Sequence, residues 1–259
     1  MRRLVFVEGV SGVGKSTAVT ALGEALRSLG LNTRCHWEGD PDGPLDLCWV
    51  AYLTCQEYAA LLDEHPAYAG ALADNVIYRG EYILLRYQVY RERLFPPALH
   101  EELHRREFCY NPANPMPLAK FTEVFLRLWQ KYAASEEAGM DYGVFDASLV
   151  SHMTSDLVRN YNAPAHAIAE HINTLLVAVQ PLRPLVFYLA SDDVRGRLID
   201  ARRSRGESPP TEEKIAFWEK RKQLDLAVLP QLTAETHILD ISNGSWDAAM
   251  RKMLACVRT

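Results

Sequence analysis

The chain has no CxxC pair, no long apolar run and no surplus of basic charge, and each absence removes a class of function. Its five cysteines, Cys35, Cys48, Cys55, Cys109 and Cys256, are odd in number and unpatterned. That excludes a disulfide scaffold and a Cys/His zinc spacing, and it fits reduced thiols in a cytosol. The longest apolar region, residues 174–190, is broken by Gln180, Pro181, Arg183 and Pro184, so no membrane span is expected. The apolar Leu4-Val5-Phe6-Val7 stops at Glu8, short of the ~7–15 residues of a signal peptide. A cytoplasmic protein is the expectation. With 28 basic against 33 acidic residues and a net charge of −5, the chain lacks the basic face that a dedicated nucleic-acid binder needs to neutralise phosphates.

What is present is an ordinary globular composition, 48% apolar and 24% charged over 259 residues, with enough length for one sizeable core. Leu4-Val5-Phe6-Val7, residues 31–37, Tyr142-Gly143-Val144-Phe145, Leu185-Val186-Phe187-Tyr188-Leu189 and His237-Ile238-Leu239-Asp240-Ile241 read as strands, and the continuously apolar first run fits a strand buried on both faces. Helical spacing separates them: apolar residues at Val19, Leu22, Leu26 and Leu29 end at Gly30, and further helices are expected over residues 120–134, 150–180, 211–228 and 245–253. Apolar strands alternating with helices predict an α/β domain with a parallel five-stranded sheet flanked by helices, running through residues 1–259. Residues 47–140, dense in Trp49, Tyr52, Tyr58, Tyr78, Tyr82, Tyr87, Tyr90 and Phe95, read as a helical insertion.

Between the first strand and the first helix stands Gly9-Val10-Ser11-Gly12-Val13-Gly14-Lys15-Ser16-Thr17. It matches the phosphate-binding loop (Walker A) G-x-x-x-x-G-K-[ST] in full and in its confirming strand–loop–helix context. Glycines let the backbone curl so that successive N–H groups face phosphate oxygens, and the helix start adds its positive end. Gly9, Ser11, Gly12, Val13, Gly14, Lys15, Ser16 and Thr17 are therefore the nucleotide-binding candidates. Lys15 is expected on the β- and γ-phosphates, and the Ser16 hydroxyl on Mg²⁺.

Three classes share this loop. A GTPase should carry NKxD, which the chain lacks; Asp40-Pro41-Asp42-Gly43 and Asp193-Val194-Arg195-Gly196 fit only the weak DxxG pattern. A regulatory ATPase usually ends a strand in Asp-Glu, whereas here the strand ends in Asp146-Ala147. A kinase uses more of the residues. The sequence resembles the thymidylate kinase and deoxynucleoside kinase branch of P-loop kinases. The resemblance lies in Phe6-Val7-Glu8-Gly9 running into the loop, Glu38 after the second strand and Asp146 after the third. It continues in Tyr188-Leu189 of the fourth strand and the arginine-rich residues 195–207 that follow. It implies ATP and Mg²⁺ as cofactors, Asp146 on the metal side with Ser16, and Glu38 toward the acceptor as general base. It also implies a lid over residues 195–210, with Arg202 and Arg205 favoured to neutralise charge on the transferred group.

Two departures bear on the acceptor. The family usually places an arginine directly after the third-strand carboxylate, where this chain has Ala147 and Ser148, and it often has Glu-Pro after the second strand, where this chain has Glu38-Gly39. The expected acceptor is therefore a hydroxyl on a small molecule, nucleoside-like or polyhydroxylated, rather than a nucleoside monophosphate. Trp37, Trp49, Tyr52 and Tyr82 are the aromatics against which it would pack. A nucleoside monophosphate kinase and a slowly hydrolysing NTP-binding module are the alternatives. Neither a nucleic acid nor a membrane is an expected partner, and a homodimer stays open. Asp146 and Glu38 also have plainer readings, as helix cap and turn residue. Glu8 reads as a structural partner of the loop. His100, His104, His152, His166 and His171 read as solvated or structural, and the base-binding segment Ser242-Asn243-Gly244 is too plain to choose between ATP and GTP.

Overall fold

The computed structural model describes residues 3–40, 43–135, 139–242 and 245–257. Pro41 and Asp42 of the first DxxG match, and Asn243 and Gly244 of the base-binding segment, lie outside the described residues. In chain order the elements are β1 (Arg3–Glu8), α1 (Lys15–Ser28), β2 (Thr33–His36), β3 (Val50–Thr54), α2 (Cys55–Glu64), α3 (Ala69–Asp74), β4 (Val76–Arg79) and β5 (Tyr82–Arg86). Then come β6 (Gln88–Val89), β7 (Glu92–Arg93), α4 (Pro97–His104), α5 (Leu118–Ala133), β8 (Tyr142–Asp146), α6 (Val150–Tyr161) and α7 (Ala165–Val179). The last are β9 (Leu185–Ala190), α8 (Val194–Ser204), α9 (Glu212–Val228), β10 (Glu235–Asp240) and α10 (Trp246–Val257).

The expected parallel sheet is present, in the order β10-β9-β1-β8-β2, with every pairing parallel. Its central strands explain why they read as continuous apolar runs. Leu4, Phe6, Phe145, Val186 and Tyr188 point into one core, with Trp129 and α6 and α7 behind them. Val5, Val7, Val144, Leu185, Phe187 and Leu189 point into the other, against α1 and α10. A period of two with apolar residues at every position means helices on both faces. This is the expected α/β architecture, a five-stranded parallel sheet flanked by helices, and it brings the carboxyl ends of β1, β8 and β2 side by side, where open α/β sheets hold their ligands. Leu29, read as part of the α1 stripe, is exposed instead. No helix among the described residues is long and apolar enough to cross a membrane.

The insertion corrects the sequence reading. It contains the helices α2 to α5, but also a three-stranded antiparallel sheet in the order β3-β5-β4. Alternation again decides the packing: Val50, Tyr82 and Leu84 turn toward the core shared with Phe6 and Phe145. Ala51, Leu53, Ile83 and Leu85 turn toward a third cluster under α2 and α4. Both faces of β5 are buried. A five-residue strand apolar on both faces shows no alternation and is indistinguishable from a helix segment by periodicity.

Candidate functional site

The phosphate loop leaves β1 and enters α1 with Gly9, Gly12 and Gly14 at φ of +140°, +85° and +93°, a region that other residues enter only with strain. Space fixes the glycines as well. A Cβ on Gly12 would stand 2.7 Å from the carbonyl oxygen of Arg197 in α8, and one on Gly14 would stand 3.1 Å from the Trp246 ring. Lys15 turns back over the loop, its Nζ 3.3 Å from the Val10 carbonyl oxygen. Thr17 lies with Ser16, Thr20 and Glu24 along an open groove beside α1.

Asp146 ends β8 directly beside the loop. The Ser16 hydroxyl donates to its Oδ2 at 2.5 Å, while the buried Oδ1 has no hydrogen-bond partner. Burial raises the Asp146 carboxyl above its ordinary range, and Lys15 and the Ser16 bond oppose that rise. An unsatisfied buried carboxylate oxygen next to a loop hydroxyl is the donor set of a hard cation such as Mg²⁺, so the residues fit the metal. Nor does Asp146 cap the helix that follows. That position belongs to Glu8, whose carboxylate accepts from the N–H groups of Leu149 (2.8 Å) and Ser151 (2.7 Å) at the start of α6. Burial raises the Glu8 carboxyl while these bonds lower it. The Ser151 hydroxyl donates to the Gly9 carbonyl oxygen at 3.1 Å, tying loop to helix.

Above the loop opens a cavity of about 500 Å³. Ser11, Ser16 and Asp146 line it from the phosphate loop and the end of β8, and Glu38, Trp37, Trp49, Tyr90 and Tyr110 complete its lining. Trp37 is 41% and Tyr90 51% exposed, so two large aromatic surfaces face its opening. Among the described residues that line it, Arg205 is the one cation. The other expected arginine, Arg202, pairs with Glu207 at 3.4 Å and donates to the Ser208 carbonyl oxygen, folding the turn after α8. Arg195 pairs with Glu212, Arg203 with Asp200, and Arg197 donates to the Ile241 carbonyl oxygen at 2.8 Å. The second DxxG match is a helix cap: Asp193 Oδ1 accepts from the Gly196 N–H at 2.7 Å. Of the aromatics expected near the acceptor, Trp37 and Trp49 line this cavity, whereas Tyr52 and Tyr82 stack on each other at 5.1 Å inside the insertion.

Sequence reasoning passed over the group behind Glu38. His152, only 5% exposed in its side chain, puts Nε2 at 3.5 Å from Glu38 Oε1 and Nδ1 at 3.9 Å from Asp46 Oδ1. Burial works against its charge, but Asp46, Glu38 and Asp156 outweigh burial and lift it to about 10. Glu38, despite some desolvation, is drawn down to about 2 by His152, Lys15 and Arg205. An imidazolium in the first turn of a helix opposes the helix dipole, so here only the surrounding carboxylates sustain it. Because the folded His152 titrates above its unfolded value, its stabilisation is complete below about pH 6.5 and disappears as pH rises through about 10. The melting temperature of His152→Gln is expected to lie well below that of the wild type near neutrality and to converge with it in alkali. Parallel melting curves across that window would refute the imidazolium.

No family model matches the chain, and no curated protein matches it. Among solved structures, a thymidylate kinase from Candida albicans superposes on 99% of this chain and 91% of its own, at 13% sequence identity and a TM-score of 0.45.

Proposed function

We propose that the protein is a phosphotransferase that moves the γ-phosphoryl group of a nucleoside triphosphate, ATP by resemblance, to a hydroxyl of a small molecule. The observation that carries this reading is the cavity that joins the phosphate loop and the Ser16–Asp146 pair to Glu38 across one open space. A nucleotide-hydrolysing switch has no use for an aromatic chamber beyond its phosphates, whereas an acceptor needs one.

In this reading the loop backbone and Lys15 hold the phosphates, and Ser16 and Asp146 hold Mg²⁺. The metal, when bound, neutralises charge that builds on the transferred group. Glu38, kept ionised by His152, receives the acceptor hydroxyl as a hydrogen bond and takes its proton as the new P–O bond forms and the bond from the γ-phosphorus to the bridging oxygen breaks, releasing the nucleoside diphosphate. Arg205 faces the transferred group from the lid side and Arg202 shapes the turn that carries it. The walls favour a hydroxyl acceptor over a phosphorylated one. Among the described residues lining the cavity, Glu38, Glu107 and Asp146 would repel a second phosphate and Arg205 alone would attract it, while His152 behind Glu38 is already engaged by Glu38 and Asp46.

Glu38→Gln separates transfer from hydrolysis. It is expected to lower acceptor-dependent turnover by about 10²-fold while leaving nucleotide affinity near that of the wild type. Equal loss of both would place Glu38 on the nucleotide side and remove it as the acceptor's partner.

A further inference from the structure

A second cavity, of about 290 Å³, is lined by residues of the insertion together with Gly43, Pro44 and Asp46, and by no residue of the phosphate loop. Protein interiors are close-packed, and voids much larger than a water molecule are few. This one is lined by side chains that are otherwise core: Leu47, Leu84, Val124 and Tyr82 are each 2% exposed or less. Its volume stands at the lower edge of the ~300–1,000 Å³ usual for small-molecule sites.

The lining has a definite chemistry. Leu47, Leu84, Val124 and Leu128 make an apolar floor, and Tyr78 and Tyr82, stacked at 4.7 Å, make an aromatic wall. Burial lifts the Tyr82 phenol to about 12, so it stays neutral. Three cations stand around the cavity: Arg86, 8% exposed, with Arg127 and Lys131 on α5. Arg127 is engaged by Glu81 and Glu123, each at 2.9 Å, whereas Lys131 makes no ion pair among the described residues. Among the described residues, Asp46 is the one carboxylate in the lining. It is already satisfied from behind, accepting from Gly39 N–H and Cys48 N–H at 2.8 Å each and facing His152.

We infer that this cavity binds a second small molecule, a flat apolar ring system carrying one anionic group, at a site separate from the phosphate loop. The rings lie against the Tyr78–Tyr82 wall and the leucine floor, and the anion meets Lys131 and the neighbouring guanidinium groups. Asp46 links this site to the phosphate-side chamber, since it lines the one and accepts from the N–H groups of Gly39 and Cys48, which line the other.

Anilinonaphthalene sulfonate has this chemistry and serves as the probe, followed by its fluorescence on the full chain. The wild type is expected to bind one molecule saturably, and Mg-ATP in excess does not displace it. Lys131→Glu reverses an exposed charge without touching the core and is expected to weaken binding by about tenfold. Leu128→Trp fills the cavity and is expected to abolish saturable binding. Because the dye also reports loosened cores, both variants are compared at equal near-UV circular dichroism and equal melting cooperativity. If Leu128→Trp fails that comparison, Lys131→Glu alone decides. Displacement by Mg-ATP, binding unchanged in Lys131→Glu, or no saturable binding in the wild type would overturn the inference.

Discussion

Lys15→Ala is expected to lower phosphoryl-transfer turnover by about 10²- to 10³-fold, the range found when a single preorganised donor is removed from developing negative charge. The lysine is the loop's one side-chain cation. Its ammonium makes a single contact within the loop, to the Val10 carbonyl oxygen at 3.3 Å, so its work is directed at a ligand. The glycine conformations that shape the loop do not depend on it. Its removal should therefore shift stability by no more than about 1–2 kcal/mol. The paired measurement is steady-state turnover beside thermal melting. Wild-type turnover in a folded Lys15→Ala protein would mean that the loop does not serve phosphoryl transfer.

Arg221→Met should be the most destabilising single change, by about 3–5 kcal/mol, because it leaves a buried carboxylate without its partner. Arg221 is 3% exposed and Asp225 is fully buried. Arg221 Nε donates to Asp225 Oδ1 at 2.8 Å, and its guanidinium also donates to the Ser151 carbonyl oxygen at 2.7 Å and to the Ser155 hydroxyl. The Tyr188 hydroxyl donates to the other carboxylate oxygen at 2.9 Å. Two paired side chains of α9 thus fasten α6, through Arg221, and β9, through Asp225, and this is the same α6 whose first turn carries Ser151 on the phosphate loop and His152 on Glu38. For a chain of this size the expected fall in melting temperature is roughly 6–20 °C. Restoring packing without charge, in Arg221→Met with Asp225→Leu, should recover much of it. A loss below about 1 kcal/mol would show that α9 is held by its apolar contacts alone.

The parts legible in the sequence are those whose signal is local. Lys15 and its glycines are consecutive, and the strands at Leu4-Val5-Phe6-Val7 and Leu185-Val186-Phe187-Tyr188-Leu189 declare themselves by unbroken apolarity, so the sheet and the loop could be placed together. Asp146 and Glu38 could be placed at strand ends because strand ends are where α/β sheets put their ligands. The antiparallel sheet of the insertion escaped because Tyr82-Ile83-Leu84-Leu85-Arg86 is buried on both sides and carries no alternation. His152, Asp46 and Arg221 escaped for another reason. His152 meets Glu38 and Asp46 far away along the chain, and Arg221–Asp225, although spaced i,i+4, gives no sign in its letters of the burial or of the distant Ser151 and Ser155 contacts that make it matter. Arg202 and Arg205 were indistinguishable as letters. In the folded chain Glu207 pairs with both, Arg202 at 3.4 Å and Arg205 at 3.5 Å, and of the two Arg205 lines the cavity.

The most direct test of phosphoryl transfer is ADP release from Mg-ATP by the purified protein. It is measured alone and then with pooled nucleosides, nucleoside monophosphates, or amine-bearing and other polyhydroxylated natural products, with Lys15→Ala as the blank. The expected result is a slow basal rate that one hydroxyl-bearing pool raises and the monophosphates do not, with phosphate recovered on the acceptor. A rate that stays flat across every pool would contradict a kinase and leave a nucleotide-binding module. Stimulation by monophosphates alone would contradict the hydroxyl acceptor.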